Sequence, residues 1–518
     1  MITTTAISAP DASPGPTLVE AAAAAVRAHP DREAVVCGDE RLTWGELDER
    51  AARVAGWLAA RGMARGDRVA LLSPNSTAFV CVMMGVLRAG GVFVPLSTLA
   101  APDVLARMVA DSGANVVLAA DALRDLASDV RGIRKVALDF EADGWEPFEP
   151  DGAEPVPPVA LVPDDLFAIL YSSGTTGVPK GVAHDYRFRT SQTARMQALG
   201  LREGARTLIA TPLYSHATLT AAVPTIAGGG TLVILRPGRF DAEAALALMA
   251  REGVTHAMLV PVQYKRITDA AIEAHDLSAL EVTFCTSAPL REAVKRAVVD
   301  RVAGQLIELY GATEGGATTV LRTAEHPDKL HTVGRPGPGV TLRFIDEEGR
   351  EVPIGEPGEV CGRAASMMRG YWNNADATGA AIWRDEAGET YIRSGDIGRL
   401  DEDGFLVLSD RRKDMIVSGG LNIYADDLER VLLSLPGVED AAVIGVPSDD
   451  WGETPLGFAV LSGTDGDAVL AAANERLGKS QRLSGLQVVD ALPRSPIGKI
   501  LKRELRAPYW KGRDRAIA

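Results

Sequence analysis

The chain alternates between short apolar runs and amphipathic helical segments, and this alternation narrows the fold to an α/β architecture. The runs VALL at residues 69–72 and VFVPL at residues 92–96 lack polar alternation, which is typical of strands buried on both faces. The helical segment LTWGELDERAARVAGWLAARG opens with a capping box from Thr43 to Glu46 and ends at Gly62. The pattern predicts a parallel sheet covered by helices on both faces.

The alternation is interrupted twice along the chain. A proline- and acid-rich connection at residues 146–165 separates the first helix–strand series from a second one, because repeated prolines remove strand hydrogen-bond donors. At residues 332–408 short strands are punctuated by Gly-Pro and Asp-Gly turns. We therefore expect a large N-terminal domain of two doubly wound α/β subdomains and a small β-rich subdomain, followed by a small α+β C-terminal domain.

The charge balance limits the classes of ligand. The 518 residues include 54 Lys and Arg against 69 Asp and Glu, which gives a formal net charge of −15. This balance disfavours a general binder of nucleic acid or anionic membranes, so a polyanionic ligand requires local positive charge. Residues 479–513 provide such charge, because basic residues outnumber acidic ones there.

Cysteine usage and the apolar runs indicate the compartment. The chain contains four widely spaced cysteines: Cys37, Cys81, Cys285 and Cys361. Without a CxxC pair they predict neither a zinc site nor a disulfide framework, and they favour a cytoplasmic location. Residues 1–16 lack the features of a signal peptide, so we expect a flexible leader. The longest apolar run, residues 79–96, contains Arg88 and Pro95, which argues against a membrane span.

A glycine- and hydroxyl-rich segment, YSSGTTGVPKGV at residues 171–182, follows the apolar strand LFAIL. Small residues let backbone N–H groups approach phosphate oxygens, hydroxyls add donors, and Lys180 adds a positive charge. The segment predicts a triphosphate-binding loop, with a surface loop as the alternative. It is not a Walker A loop, because Pro179 stands where that motif has its second glycine.

Together with four later motifs, this loop resembles the adenylate-forming superfamily, in its acyl- and aryl-CoA ligase branch. The later motifs are LYGATEGG at 309–316, SGDIGRLDEDGF at 394–405, DRRKDMI at 410–416 and LPRSPIGKILKREL at 492–505. The resemblance covers about residues 17–512. It implies an ATP- and acid-binding domain over residues 17–409, a hinge over 410–413 and a mobile C-terminal domain over 414–518.

The resemblance also implies which residues contact ATP. Tyr310 would stack on adenine and Thr313 would contact the α-phosphate. Glu314 and Thr176 would hold Mg²⁺, a hard cation that masks carboxylate and phosphate charge. Asp396 would accept hydrogen bonds from both ribose hydroxyls. The expected ATP- and AMP-binding residues are Ser172, Ser173, Gly174, Thr175, Thr176, Gly177, Lys180, Ser287, Ala288, Pro289, Tyr310, Gly311, Ala312, Thr313, Asp396 and Arg411.

Lys499 matches the family's catalytic lysine, whose ammonium would bridge the substrate carboxylate and the α-phosphate. Lys413 falls at the hinge position, and Gly419 and Gly420 would lie against the pantetheine of CoA after a domain rotation. The expected catalytic residues are Lys499, Glu314, Thr313 and Lys180. The resemblance thus implies two half-reactions: an acid and ATP form an acyl-adenylate, and CoA then displaces AMP.

The segment TPLYSHATLTAAV at residues 211–223 corresponds to the family's acid pocket. Amino-acid-activating members carry an aspartate there, which this chain lacks, so an amino-acid substrate is disfavoured. His216 is either a pocket residue or a structural histidine. Small apolar walls favour an aryl or arylpropenoic acid over a medium-chain fatty acid. The expected pocket residues are Tyr214, Ser215, His216, Val262, Gln263, Thr286, Gly311 and Gly316.

Alternative functions stay open at this point. Adenylation could serve a carrier-protein thiol instead of CoA, since residues 480–483 and the segment GGLNIYADD depart from the usual CoA-ligase pattern. A non-catalytic sensor of nucleotide or acyl-adenylate is a second alternative, and a P-loop kinase, whose signature is lacking, is a distant third. The expected partners are a small carboxylic acid, ATP and CoA, without nucleic acid, and a homodimer is an open alternative.

Overall fold

The structure is a computed structural model that describes residues 15–172, 179–411, 414–418, 421–448, 451–478, 481–495 and 498–511. The chain forms two compact units. The first comprises Met1–Leu342 and Gly362–Ile392, and the second comprises Arg343–Cys361 and Arg393–Ala518. The expected hinge at residues 410–413 lies partly outside the described residues, and the domain boundaries inferred from the sequence stay a prediction.

The helices and strands have the following bounds. The α-helices are α1 Leu18–Ala28, α2 Trp44–Ala60, α3 Thr77–Arg88, α4 Pro102–Ser112, α5 Tyr186–Ala198, α6 His216–Ala227, α7 Ala242–Arg251, α8 Pro261–Thr268, α9 Glu292–Arg301, α10 Ala375–Ala380, α11 Ala425–Leu433, α12 Gly466–Arg476 and α13 Lys502–Arg506. Short 3₁₀ helices are Asp121–Ala127, Pro150–Gly152 and Ile272–Ala274. The first strands are β1 Glu33–Cys37, β2 Glu40–Thr43, β3 Arg68–Leu72, β4 Val92–Pro95, β5 Val116–Ala119, β6 Arg134–Ala137, β7 Glu146–Pro147, β8 Leu166–Ser172, β9 Lys180–Asp185, β10 Arg206–Ile209, β11 Thr231–Ile234, β12 His256–Leu259, β13 Val282–Cys285 and β14 Gln305–Tyr310. The later strands are β15 Thr319–Arg322, β16 Arg335–Pro336, β17 Thr341–Ile345, β18 Gly358–Arg363, β19 Gly370–Tyr371, β20 Ile382–Arg384, β21 Thr390–Leu400, β22 Leu406–Arg411, β23 Ile416–Ser418, β24 Leu421–Ile423, β25 Val438–Ser448, β26 Gly452–Leu461 and β27 Leu486–Val488.

Helix α2 begins at the capping box that its sequence predicts. The Thr43 hydroxyl accepts a hydrogen bond from the Glu46 backbone N–H at 3.2 Å. The Glu46 carboxylate accepts one from the Thr43 N–H at 2.8 Å, so two N–H groups of the first turn are satisfied. The helix ends at Ala60, just before Gly62, whose φ of +81° requires glycine. The prediction for this helix is confirmed.

An eight-stranded sheet in the first unit has the order β19-β9-β8-β4-β3-β5-β6-β7. Its strands from β8 to β7 in that order are parallel. Alternate residues of β3 enter two separate cores. Val69 and Leu71 pack with α2 and α3, whereas Ala70 and Leu72 pack with α4. The sheet is therefore covered on both faces, as the unbroken apolar runs predict.

A nine-stranded sheet, also in the first unit, has the order β16-β15-β14-β13-β12-β10-β11-β1-β2. Strands β10, β12, β13 and β14 are consecutive and parallel. The early strand β1 pairs with β11 here, in parallel, and so leaves the helix–strand series to which it belongs in sequence. Pairing of distant strands depends on tertiary packing, which local periodicity does not report.

The connection at residues 146–165 is attached to the fold along its length. It begins with β7, which pairs with β6 at the sheet edge, a place where proline is tolerated. The Val156 N–H then donates to the Ala52 carbonyl at 3.2 Å. The Arg88 Nε donates to the Val156 carbonyl at 2.8 Å. Gly56 permits this close approach, since a Cβ there would lie 1.9 Å from the Glu154 carbonyl oxygen.

The remaining strands build two five-stranded sheets. One has the order β17-β18-β21-β20 with β22 beside β21, and the other has the order β24-β23-β26-β25 with β27 beside β26. The second of these sheets packs with α11 and α12 around Leu428 and Val443. A buried Glu429–Lys502 ion pair of 2.7 Å joins α11 to α13. Among the described residues, no helix is long and apolar enough to cross a membrane.

Replacing Gly56 by alanine should destabilise the first unit. The new methyl group would collide with the backbone of residue 154, and overpacking of this kind costs about 1–3 kcal/mol. The matched control is Gly379→Ala in α10, where a Cβ meets no atom within 4 Å and alanine favours the helix. Urea unfolding measures both variants. An unchanged free energy of unfolding for Gly56→Ala would contradict the close packing described for this connection.

Candidate active site

The segments expected to bind acid and adenine follow the carboxyl ends of four neighbouring strands. Tyr214 lies beyond β10, and Val262 lies beyond β12. Ser287 follows β13, and Gly311 follows β14. Because parallel strands place their carboxyl ends at one edge of a sheet, these segments stand side by side. That edge is where α/β sheets bind ligands.

The loop after β13 has a strained backbone. Ser287 has a φ of +84°, a conformation that is uncommon for residues other than glycine and is typical of functional sites. After Ala288 and Pro289, the backbone N–H of Leu290 donates to the Glu308 carboxylate at 3.4 Å. Strand β14 thereby holds the end of this loop.

A buried ion pair fixes β14 in turn. The Lys295 ammonium lies 2.5 Å from the Glu308 carboxylate and donates to the Thr332 carbonyl at 2.7 Å. Burial raises the pKa of Glu308, and the Lys295 charge opposes that rise. The pair ties α9, β14 and the Thr332 backbone together beside the segment that carries Tyr310.

The turn after Tyr310 requires two glycines. Gly315 and Gly316 have φ values of +76° and +81°. A Cβ on Gly315 would lie 2.0 Å from the Ser366 carbonyl oxygen, and one on Gly316 would lie 2.5 Å from the Gly362 carbonyl oxygen. Both positions thus need the conformation and the small size of glycine. Gly316 is predicted from the sequence as a pocket wall, and the structure adds this backbone requirement.

Strand pairing brings Lys180 and Glu314 to a shared neighbour, Tyr371. The Tyr371 hydroxyl donates to the Glu314 carboxylate at 2.8 Å. The Lys180 ammonium lies 5.0 Å from the centre of the Tyr371 ring. Tyr371 reaches this position because β19 pairs with β9, with Tyr371 opposite Val182. Burial and the Glu314 carboxylate raise the pKa of Tyr371, so the hydroxyl keeps its proton and orients the carboxylate.

The residues here fit Mg²⁺ by their donor chemistry. Magnesium is usually held by one or two carboxylates together with substrate phosphates. Glu314 supplies such a carboxylate, and the Tyr371 contact occupies one of its oxygens. No group of three or more metal-binding side chains occurs among the described residues.

The rings of His184, Phe188 and His216 form a cluster that contacts the Thr313 backbone through His184. The His184 Nε2 is 2.7 Å from the Thr313 carbonyl oxygen. The His184 ring stacks on Phe188 with centroids 3.8 Å apart and meets His216 edge-on at 5.3 Å. Burial and neighbouring positive charge, with Arg189 the largest such contribution, hold the pKa of both histidines well below 6.5. Both rings are therefore neutral at physiological pH.

Two expected pocket residues use their polar groups to hold backbone. The Ser215 hydroxyl accepts from the Thr218 N–H at 3.3 Å and caps α6. The Gln263 amide accepts from the Val260 N–H at 3.1 Å and donates to the Ala210 carbonyl at 2.9 Å. These bonds join the ends of β10 and β12, so Gln263 supports the edge of the sheet. Thr286 and Ala312 lie on the adjoining loops.

The second unit carries the remaining described candidates. Asp396 in β21 pairs in register with Arg411 in β22, so the two expected ribose-binding residues are neighbours across one antiparallel pair. The backbone of Lys499 is hydrogen-bonded to Ser495. The Lys499 N–H donates to the Ser495 hydroxyl at 3.1 Å, and the Ser495 N–H donates to the Lys499 carbonyl at 2.7 Å.

Several expected residues lie outside the described residues. They are Ser173, Gly174, Thr175, Thr176, Gly177, Lys413, Gly419 and Gly420. Of Ser172 and Arg411 only the strand positions are described.

Comparison with known proteins identifies the family of this chain. The chain matches the family described as AMP-binding enzyme over residues 22–372, and the AMP-binding enzyme C-terminal domain over residues 427–499. The chain belongs to the AMP-binding enzyme family. The large α/β domain and the small C-terminal domain are shared with the matching structures, and some of those structures are described as ATP-bound.

Three known proteins illustrate the sequence identity and the coverage that this AMP-binding enzyme shares with other proteins. A feruloyl-CoA synthase from Amycolatopsis sp is 36% identical over 93% of this chain and 97% of its own. The fatty acid–[acyl-carrier-protein] ligase ScoC from Streptomyces coeruleorubidus is 32% identical over 97% and 98%, respectively. The crystal structure of ATP-bound MatB from Rhodopseudomonas palustris is 29% identical, with a TM-score of 0.84 over 95% and 99%. The protein is thus an AMP-forming CoA ligase of the acyl and aryl class.

The buried histidines of this AMP-binding enzyme should make its stability depend on pH. The folded protein keeps His184 neutral, whereas the unfolded chain takes up a proton below pH 6.5. The neutral His184 therefore costs the folded state no free energy relative to the unfolded chain above pH 6.5. Below that pH, protonation of the unfolded chain lowers the free energy of unfolding. We expect His184→Gln to reduce the loss of unfolding free energy between pH 7.5 and pH 5.5 by about 1 kcal/mol.

Urea unfolding at several pH values measures this difference. His29→Gln, at an exposed position, is the control and should leave the pH dependence unchanged. An identical slope for wild type and His184→Gln would show that His184 titrates normally in the folded state.

Proposed function

We propose that this enzyme activates an aryl, arylpropenoic or other hydrophobic carboxylic acid as its acyl-adenylate and then transfers the acyl group to CoA. The observation that carries the proposal is the alignment of the acid and adenine segments after β10, β12, β13 and β14. One edge of a sheet can then hold an acid next to a nucleotide. The likeness to a feruloyl-CoA synthase supports the same substrate class.

In the first half-reaction, a carboxylate oxygen of the acid attacks the α-phosphorus of ATP, and the bond to pyrophosphate breaks. Lys499 would bridge the carboxylate and the α-phosphate as charge builds on the phosphorus, and Thr313 would contact the same phosphate. Tyr310 and Asp396 would hold adenine and ribose, and Lys180 would neutralise phosphate charge.

In the second half-reaction, the thiolate of CoA attacks the acyl carbonyl, and the C–O bond to AMP breaks. This step needs a different surface next to the adenylate, which a rotation about Lys413 would supply. Gly419 and Gly420 would then lie along the pantetheine. Glu314 and Thr176 would hold Mg²⁺, which supplies charge neutralisation at the phosphates when bound.

Transfer to a carrier-protein thiol is the second candidate. The 32% identity to a fatty acid–[acyl-carrier-protein] ligase favours it, as do the departures in the CoA-contacting segments. Hydroxamate trapping with and without free CoA separates the two candidates, because an enzyme specific for CoA discharges its adenylate only in the presence of that thiol. The cytoplasmic location and the homodimer stay predictions.

A panel of carboxylic acids tests the proposal. We expect pyrophosphate release with ATP to be fastest with benzoic and cinnamic acid derivatives, slower with medium-chain fatty acids and absent with amino acids. The small apolar walls and the lack of a carboxylate partner for an ammonium group explain this order. Continuous phosphate detection coupled to pyrophosphatase gives kcat/KM for each acid. Fatty acids preferred over every aryl acid would contradict the substrate class.

Replacing Lys499 by alanine should separate the two half-reactions. Loss of one preorganised donor typically costs about 10²- to 10³-fold in rate, so adenylate formation should fall by that factor. Thioester formation from supplied acyl-adenylate and CoA should continue at a rate close to that of the wild type.

The matched control is Lys511→Ala, an exposed lysine of the same basic segment, which should change neither rate. Single-turnover assays measure each half-reaction separately. An equal loss of both half-reactions in Lys499→Ala would contradict the role assigned to this lysine.

A further inference from the structure

Helix α5 carries two arginines, Arg189 and Arg195, with buried guanidinium nitrogen atoms in the first unit. Arg189 is 1% exposed and donates from Nη1 to the Gln192 side-chain oxygen at 2.8 Å. Arg195 donates from Nη1 to the Ser366 hydroxyl at 2.9 Å. Within the described part of the chain, Arg189 Nε, Arg189 Nη2 and Arg195 Nε are buried without a hydrogen-bond partner.

These charges have no acidic partner in the described chain. No carboxylate of a described residue lies within salt-bridge distance of either guanidinium. Burial lowers the pKa of Arg189 to about 9 and that of Arg195 to about 10, so both remain charged at neutral pH. The neighbouring His184 and His216 are neutral. The cluster therefore holds two positive charges, and burial of unpaired charge is costly.

Aromatic rings offset a part of that cost. The Arg189 guanidinium carbon lies 5.1 Å from the centre of the Phe167 ring and 5.5 Å from that of Phe188. Such cation–π contacts are attractive. They leave the unpartnered N–H groups unsatisfied, and those groups are the donors that bind a carboxylate in a bidentate manner.

Each arginine is linked to a wall of the expected acid pocket. Gln192, the partner of Arg189, donates to the Thr220 hydroxyl at 3.1 Å. That hydroxyl donates to the His216 carbonyl at 2.9 Å. On the other side, the Ser366 carbonyl accepts from the Gly316 N–H at 3.0 Å, and the Ser366 hydroxyl accepts from Arg195. Arg189 is thus linked to His216 through two residues, Gln192 and Thr220, and Arg195 is linked to Gly316 through one, Ser366.

We propose that the acid substrate carries a second carboxylate, which binds between α5 and α6 to the guanidinium groups of Arg189 and Arg195. The inference rests on the proposed function, since it concerns the far end of the acid that is activated. The substrate class is then an aryl or arylpropenoic dicarboxylic acid, one carboxylate reacting with ATP and the other neutralising the buried charges. A neutral substituent at that end would leave both charges uncompensated.

Matched acids test this selectivity. 4-Carboxycinnamate and 4-carbamoylcinnamate have the same shape and differ in the charge of the distal group, as do terephthalate and 4-carbamoylbenzoate. We expect kcat/KM for pyrophosphate release to favour the carboxylates by about 10²-fold, because a desolvated charge pair is worth several kcal/mol. Calorimetric binding of the same acids, with a non-hydrolysable ATP analogue present, should show the same preference.

Variants assign the preference to the arginines. Arg189→Met and Arg195→Met should each lower the carboxylate-to-amide ratio at least tenfold. Arg187→Met is the control and should keep the wild-type ratio, because Arg187 lies in the same helix but is only partly buried and pairs with Asp164. A purely structural role for the arginines would leave the ratio unchanged. Arg189→Gln, which removes the charge and keeps a polar side chain, serves the same test if the methionine variant fails to fold.

The outcomes separate this inference from the proposed function. Pyrophosphate release with neutral aryl acids at a kcat/KM equal to that of the dicarboxylates overturns the inference and leaves the function intact. The same holds for a preference that persists in both methionine variants. Absence of pyrophosphate release with every acid, charged or neutral, overturns the proposed function itself.

Discussion

The architecture of the site depends on one constraint: parallel strands all end at the same edge of their sheet. Because β10, β12, β13 and β14 are neighbours, segments that lie far apart in sequence become adjacent loops at that edge. The buried Glu308–Lys295 pair and the glycines at 315 and 316 then fix the loop that follows β14. In the proposed function, this convergence lets one sheet edge hold the acid next to the nucleotide.

Buried charge is handled in two contrasting ways in the first unit. Lys295 and Glu308 lie 2.5 Å apart and neutralise each other's charge. Such a pair holds its two elements in place, because removing one partner would leave the other as an unpaired buried charge. Arg189 and Arg195 have no such partner among the described residues. The Lys295–Glu308 pair stabilises the fold. In our proposal, the uncompensated charges of Arg189 and Arg195 bind an anion that arrives with the substrate.

Local sequence predicted those features that depend on neighbouring residues. The Thr43 capping box and the two-sided burial of β3 follow from short patterns. The Tyr371–Glu314 contact joins residues 57 positions apart, and the His184–Thr313 contact joins residues 129 positions apart. No local sequence pattern predicts either contact. Arg189 occupies an otherwise unremarkable helix, and only tertiary packing shows that its charge is buried. The placement of β1 in the nine-stranded sheet likewise required the three-dimensional structure.

In the proposed first half-reaction, a carboxylate oxygen of the acid attacks the α-phosphorus of ATP. Isotope transfer tests it most directly, with a substrate acid labelled by ¹⁸O at the reacting carboxylate and the products analysed by mass spectrometry after complete turnover with CoA. We expect one ¹⁸O atom in AMP and none in pyrophosphate, because the C–O bond of the adenylate breaks when the thioester forms and its oxygen stays on AMP. Unlabelled AMP, or label in inorganic phosphate with ADP as the nucleotide product, would contradict it.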